Sequence, residues 1–170
     1  MRFIFIILCF ILTLQTSAQK LKADNLYANG NYTKAIETYK SLKNINAVYD
    51  KIAKAYIAIG NYDEGLANYQ KAINANPDDA LLKYDYAKLL TKTKDYEEAN
   101  QIFNSLISLD SLNPNYHYEL GVVLEKQNDT TALNEFIKTF DLDLTHQKAI
   151  FKIAKHHLIK RKFELAHRFV

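Results

Sequence analysis

Residues 49–77 read YDKIAKAYIAIGNYDEGLANYQKAINANP, and the spacing of their side chains decides the fold. From Lys51 to Ile59, and again from Tyr62 to Ile73, apolar residues recur three and four apart, which gathers them on one face of a helix. Gly60-Asn61 separates the two stretches and Pro77 closes the second. A glycine that ends one helix and a proline that stops the next predict a helical hairpin.

The hairpin recurs along the chain. Small residues stand at Ala35, Gly65, Ala99, Ala132 and Ala166, separated by 30, 34, 33 and 34 residues. Four residues after each comes a large apolar one: Tyr39, Tyr69, Phe103, Phe136 and Val170. Three residues before each small one stand Tyr32, Tyr62, Tyr96, Asp129 and Phe163, so only Asp129 departs from an aromatic. A fixed period of this length is the signature of stacked hairpins. The small residue marks where the second helix must approach the first closely, and the large one fills the space between neighbours.

These residues resemble a known family. Tyr49, Ile52-Ala53, Tyr56, Gly65, Tyr69, Ala72 and Pro77 fall at the marked positions of a tetratricopeptide (TPR) repeat. Tyr86, Ala87, Leu90, Tyr96, Ala99 and Leu106 keep the register in the next unit, Leu120-Gly121 and Leu124 in a fourth, and Ile153, Ala154, Phe163 and Ala166 in a fifth. The resemblance covers residues 20–170 and implies an all-α fold, an α-solenoid of about four and a half TPR helical hairpins forming a right-handed superhelix. Repeats fall at about 20–46, 46–79, 80–113, 114–146 and 147–170, the last incomplete. Three departures shape the expectation. Only Asn44, Ile45 and Asn46 link the first two units, Ser108 to Asn113 predicts a longer loop before Pro114, and the fourth and fifth turns carry Asn128 and Arg161 in place of glycine.

The first 18 residues read differently from the rest. Arg2 opens a 12-residue apolar run, Phe3 to Leu14, followed by Thr16-Ser17-Ala18. This pattern predicts a signal peptide over 1–18, cleaved after Ala18, with a TPR domain over 19–170. The run falls short of the roughly 20 residues needed to cross a bilayer, so no permanent span is expected once the signal is cut; an uncleaved signal leaves a tether. Cys9 lies inside the run, so the mature chain has no thiol and no disulfide or thiolate metal chemistry. The expected location is periplasmic or secreted.

Charge narrows the partners. Lys and Arg number 22 against 19 Asp and Glu, a formal charge of +3, which gives no footprint for nucleic acid. The 4 glycines form no phosphate loop, and no serine sits in a nucleophile elbow. No enzyme and no cofactor are expected. His156, His157, His167 and Glu164 cluster late in the chain, but a metal site needs paired ligand motifs on facing helices, so they read as helix-end histidines.

The first helix of each hairpin, in proteins resembling this family, lines the concave face where partners bind. Carried onto this sequence, the candidate groove is Tyr27, Lys54, Tyr84, Lys88, Lys92, Tyr118, Phe151 and Lys155. Asp50 and Glu125 map to the same face. Aromatics alternating with lysines suit an extended or helical peptide with apolar anchors and some acidic character. A chaperone-type carboxylate clamp is not expected, because Lys20, Asp24, Lys51, Leu81 and Asp85 stand at its positions and only the first agrees. The expected function is a non-catalytic envelope scaffold for a protein or peptide. The alternative is the N-terminal segment of a larger envelope sensor or assembly protein. Solenoids require a polar terminal cap, and Phe169-Val170 supplies none, so either a continuation or self-association through the uncapped last repeat is expected.

Overall fold

A computed structural model describes residues 17–159; the apolar run, Cys9, Arg161, Phe163, Glu164, Ala166, His167 and Val170 lie outside them. Among the described residues the chain is all-α, with no strand. It divides into two compact units, Met1–Leu82 and Lys83–Val170, the division falling in the first turn of a helix. The first unit holds α1 (17–28), α2 (Tyr32–Lys40), a 3-10 turn (Ile45–Val48), α3 (Tyr49–Ala58) and α4 (Tyr62–Ala75). The second holds most of α5 (Ala80–Thr93), then α6 (Tyr96–Leu109), α7 (Pro114–Lys126), α8 (Ala132–Leu142) and α9 (Gln147–Ile159).

Each hairpin turns through one backbone geometry. Gly30 and Gly60 take φ of 76° and 79°, where a side chain would crowd the carbonyl. The N–H groups of Asn31 and Asn61 then reach back to the carbonyls of Leu26 and Tyr56 at 2.8 and 2.9 Å, which satisfies groups the helix end leaves orphaned. Asn128 does the same at φ 59°, a region asparagine tolerates. Lys94 takes φ 75° at the matching place, a left-handed lysine that nothing in the sequence pattern announced.

The connections between hairpins also repeat. Residues 76–79, 110–113 and 143–146 are turns of equal length. The caps at their ends differ in chemistry but not in role. The Asp79 carboxylate accepts from the N–H of Leu81 at 2.9 Å, the Asn113 carbonyl from Asn115 at 3.1 Å, and the His146 ring nitrogen from Ala149 at 3.2 Å. The longer loop expected before Pro114 is therefore absent. The two prolines play different parts: Pro77 lies inside its turn, whereas Pro114 is the first residue of α7, where its missing N–H costs nothing. The short first link is taken up by the 3-10 turn, which buries Val48 and runs directly into α3.

Small and large residues meet as the period requires. Ala35, Gly65, Ala99 and Ala132 are buried, and so are Tyr39, Tyr69, Phe103 and Phe136. In the first unit Ala23, Ala35, Ile36, Tyr39, Val48 and Ile52 form one core. In the second, Ala132, Phe136 and Ile153 pack together with Tyr118, Val122 and Leu124 against them. The contact is tight: a Cβ on Gly121 would stand 2.7 Å from Cε1 of Phe136 and 3.2 Å from Cβ of Glu135.

Two substitutions test this packing in opposite directions. Gly121→Ala gains helix propensity but drives a methyl into a buried ring, and denaturant titration is expected to show a net loss of about 1–3 kcal/mol. Lys94→Gly relieves a left-handed backbone and is expected to raise stability by about 1 kcal/mol after the entropy of glycine is counted. A gain from the first or a loss from the second would mean that the turn and the close approach do not set the hairpin.

Candidate functional site

In the first unit α1 and α3 border a cavity of about 310 Å³ lined by Asp24, Tyr27, Tyr39, Asp50, Lys51 and Lys54. Of the residues predicted for the groove, Tyr27 and Lys54 meet here. The Tyr27 ring stands edge-on to Tyr32 with centroids 5.3 Å apart, so one side of it is committed to packing. The floor was missed by the sequence reading. One oxygen of Asp24 accepts from Lys51 Nζ at 2.5 Å and from the Tyr39 hydroxyl, tying α1 to α2 and α3. Burial pushes the Asp24 carboxyl up, but these two hydrogen bonds outweigh it and hold the group below its ordinary value. Burial and the bond to Asp24 push the Tyr39 hydroxyl well above the usual phenol range.

In the second unit Tyr84 of α5 is half-buried. Its ring lies between Phe103, at 6.1 Å, and Tyr116, at 5.8 Å. Its hydroxyl donates to a Glu119 oxygen at 3.4 Å, and Lys88 Nζ stands 3.8 Å from that same oxygen and 5.1 Å from the centre of the Tyr84 ring. Desolvation raises the Glu119 carboxyl above its ordinary value, with the Lys88 charge and the Tyr84 hydroxyl pulling the other way. Tyr118 of α7 packs on Phe136 at 5.8 Å and on His146 at 4.9 Å. Tyr84 and Tyr118, read from the sequence as groove residues off the repeat framework, thus each rest one face on the large residue of the following helix. Lys92 is exposed in the last turn of α5, and Phe151 and Lys155 are exposed on α9.

Ion pairs cross between neighbouring first helices. Lys51 of α3 pairs with Asp24 of α1, Lys88 of α5 with Glu119 of α7, and Lys152 of α9 with Glu125 of α7. Asp24, Lys51, Glu119 and Lys152 were absent from the predicted groove because each is defined by a residue 27 to 31 positions away, a separation the 34-residue register does not mark. His117 is a structural pin rather than a ligand. It is buried, with Nδ1 2.8 Å from a Glu135 oxygen and Nε2 3.1 Å from the Ser111 carbonyl.

Among the described residues no three His, Cys, Asp or Glu side chains converge on a metal-sized site, and no helix is long and apolar enough to cross a membrane. His156 and His157 stand edge to face with centroids 5.7 Å apart, while Glu164 and His167 lie outside the described residues.

Residues 56–120, from α3 to α7, match the tetratricopeptide repeat family. Over those residues the chain is similar to tetratricopeptide repeats. The human Superkiller complex protein 3 is 27% identical over 150 residues, which are 81% of this chain and 10% of that protein. The chain thus spans about a tenth of the length of the curated relative it matches. Among solved structures, MamA (41-end) from Desulfovibrio magneticus RS-1 superposes with a TM-score of 0.79 at 16% identity, covering 91% of this chain and 90% of that one. The pilF protein of Pseudomonas aeruginosa gives 0.76 at 19% identity over 93% and 74%. At these identities the likeness establishes the fold: an all-α solenoid of tetratricopeptide hairpins.

The Asp24 and Glu119 carboxyls act on stability with opposite sign. Asp24 is depressed in the fold, so its contribution is complete above the unfolded value near ~3.9 and is lost as pH falls through the folded one. Glu119 is raised, so stability falls as pH climbs through its folded value. Chemical denaturation across the acid range is expected to show Asp24→Asn destabilised at neutral pH with a flattened acid limb, and Glu119→Gln gaining at neutral pH with no gain in acid.

Proposed function

We propose that this chain is an exported, non-catalytic scaffold that holds a protein or peptide partner on the first helices of its hairpins. One observation carries the reading: the cavity between α1 and α3 is walled by Tyr27 and carries both signs of charge, and three of its groups, Asp24, Lys51 and Tyr39, are engaged with one another. Asp24 is bonded to Lys51 and Tyr39. Such a floor offers contact area, hydrogen bonding and steering charge, which recognition needs. Tetratricopeptide hairpins elsewhere in the fold class are in keeping with it.

Export rests on the sequence alone. Arg2, the run from Phe3 to Leu14 and the small residues to Ala18 are what a secretory peptidase reads. A periplasmic or secreted setting follows, and self-association through the last repeat is a further part of the proposal. Mass spectrometry of the native protein is expected to give a mature start at Gln19. An intact Met1 in the exported fraction removes the cleaved form.

A second reading, the N-terminal tetratricopeptide segment of a larger envelope sensor or assembly protein, is favoured by the small share of its curated relative that the chain spans. Immunoblotting of native cells decides it by the size of the product.

Photo-crosslinking tests the groove. A photoreactive residue at Lys54 or Phe151 is expected to trap a discrete partner, whereas one at Lys138, exposed on the second helix α8, traps none. Equal trapping from all three positions, or none from any, overturns the reading.

A further inference from the structure

Helix α9 differs from the other first helices in charge. No Asp or Glu occurs in Gln147–Ile159, while Lys148, Lys152 and Lys155 do. Ala149, Ile153 and Ala154 turn into the core. Lys148, Phe151, Lys155 and Leu158 follow one another at helical spacing on a different side. Phe151 is 64% exposed, Leu158 49% and Ile159 69%. A large aromatic and two aliphatic side chains in water among lysines are unusual on a helix whose inner face is already packed.

Two nearby lysines, Lys88 of α5 and Lys152 of α9 itself, are engaged at home. Lys88 stands beside Glu119, and Lys152 is paired with Glu125. Lys148 lies near enough to Glu119 to feel its charge, yet neither Lys148 nor Lys155 forms an ion pair among the described residues. Tyr84 and Tyr118 occupy the positions that Phe151 holds two repeats and one repeat later, and they are half-buried on Phe103 and Phe136 respectively. Phe151 alone of the three is open.

We propose that the exposed face of α9 docks an acidic segment of a partner protein, whose carboxylates meet Lys148 and Lys155 and whose apolar side chains cover Phe151 and Leu158. This rests on the scaffold reading and specifies its partner. An anionic bilayer satisfies the same lysines but not their surroundings. Glu119 and Glu125 stand on α7, packed beside α9, and a broad sheet of negative headgroups would be brought against them. A single acidic strand or helix can follow the lysines and leave those carboxylates aside.

The test uses the purified protein and a capped peptide alternating glutamate with leucine and phenylalanine, with glutamine and lysine counterparts. Fluorescence anisotropy is expected to show the glutamate peptide binding at least about tenfold tighter than the glutamine one, with affinity falling steeply as salt rises. The double substitution Lys148→Glu with Lys155→Glu should lose about tenfold, and Phe151→Ala should also weaken binding, with circular dichroism unchanged because all three side chains are exposed. Equal binding of the glutamate and glutamine peptides, or indifference to the double substitution, overturns the acidic specification and leaves the scaffold reading standing. Failure of every peptide, with partner trapping at Lys54 retained, does the same. Failure of every peptide together with loss of that trapping removes both. Vesicles containing phosphatidylglycerol that capture the protein through Lys148 and Lys155, when the glutamate peptide does not, replace the protein partner with a bilayer.

Discussion

The approach of Gly121 to the ring of Phe136 contains the constraint on which the fold depends. A methyl group at Gly121 would stand inside the van der Waals envelope of that ring. The same demand is written at Ala35, Ala99 and Ala132, each buried and each followed one turn later by a large buried side chain. Helices that close this tightly exclude water from a narrow seam, and the dense packing makes each hairpin stiff. Stiffness has a functional consequence. The first helices of the hairpins are held at fixed spacing within each unit, so side chains on their free faces are presented with little entropy left to lose.

The turns enforce that spacing. Among the described residues four hairpins close through a left-handed residue, and only two of those are glycine. At Lys94 the chain accepts a strained backbone to keep the reach-back bond from Asp95 to Leu90 at 2.9 Å. At the opposite end of the helices, Asp79, Asn113 and His146 cap α5, α7 and α9 with three different side-chain acceptors. Geometry is thus conserved along the chain where chemistry is not.

That difference explains what the sequence disclosed. The helical hairpins, their period and their buried residues were legible, because a small residue followed by a large one leaves a mark that recurs. Gly60 was legible as a turn because glycine takes a left-handed backbone freely, whereas Lys94 was not, since lysine carries no preference for one. The loop before Pro114 was misjudged because proline has two uses near a helix start. At the candidate site Tyr27 and Lys54 were found by register and do line one cavity. Asp24, Lys51 and Glu119 were not found, because an ion pair between successive helices depends on two side chains reaching toward each other, and no periodicity records the direction of a rotamer.

Those pairs bear on what a partner would sense. A count of lysines along the first helices suggests a strongly basic face, but Lys51, Lys88 and Lys152 each stand beside a carboxylate. A paired, partly desolvated lysine attracts an incoming anion weakly, because the anion must compete with a carboxylate already in place. The pairs therefore act first as ties between neighbouring helices, Asp24 most of all, where one oxygen serves both Lys51 and Tyr39. The charge that remains to steer a partner lies where no carboxylate answers it. On α9, Lys148 and Lys155 form no ion pair among the described residues, and the exposed Phe151 between them turns a difference in charge pairing into a difference in what the surface can hold.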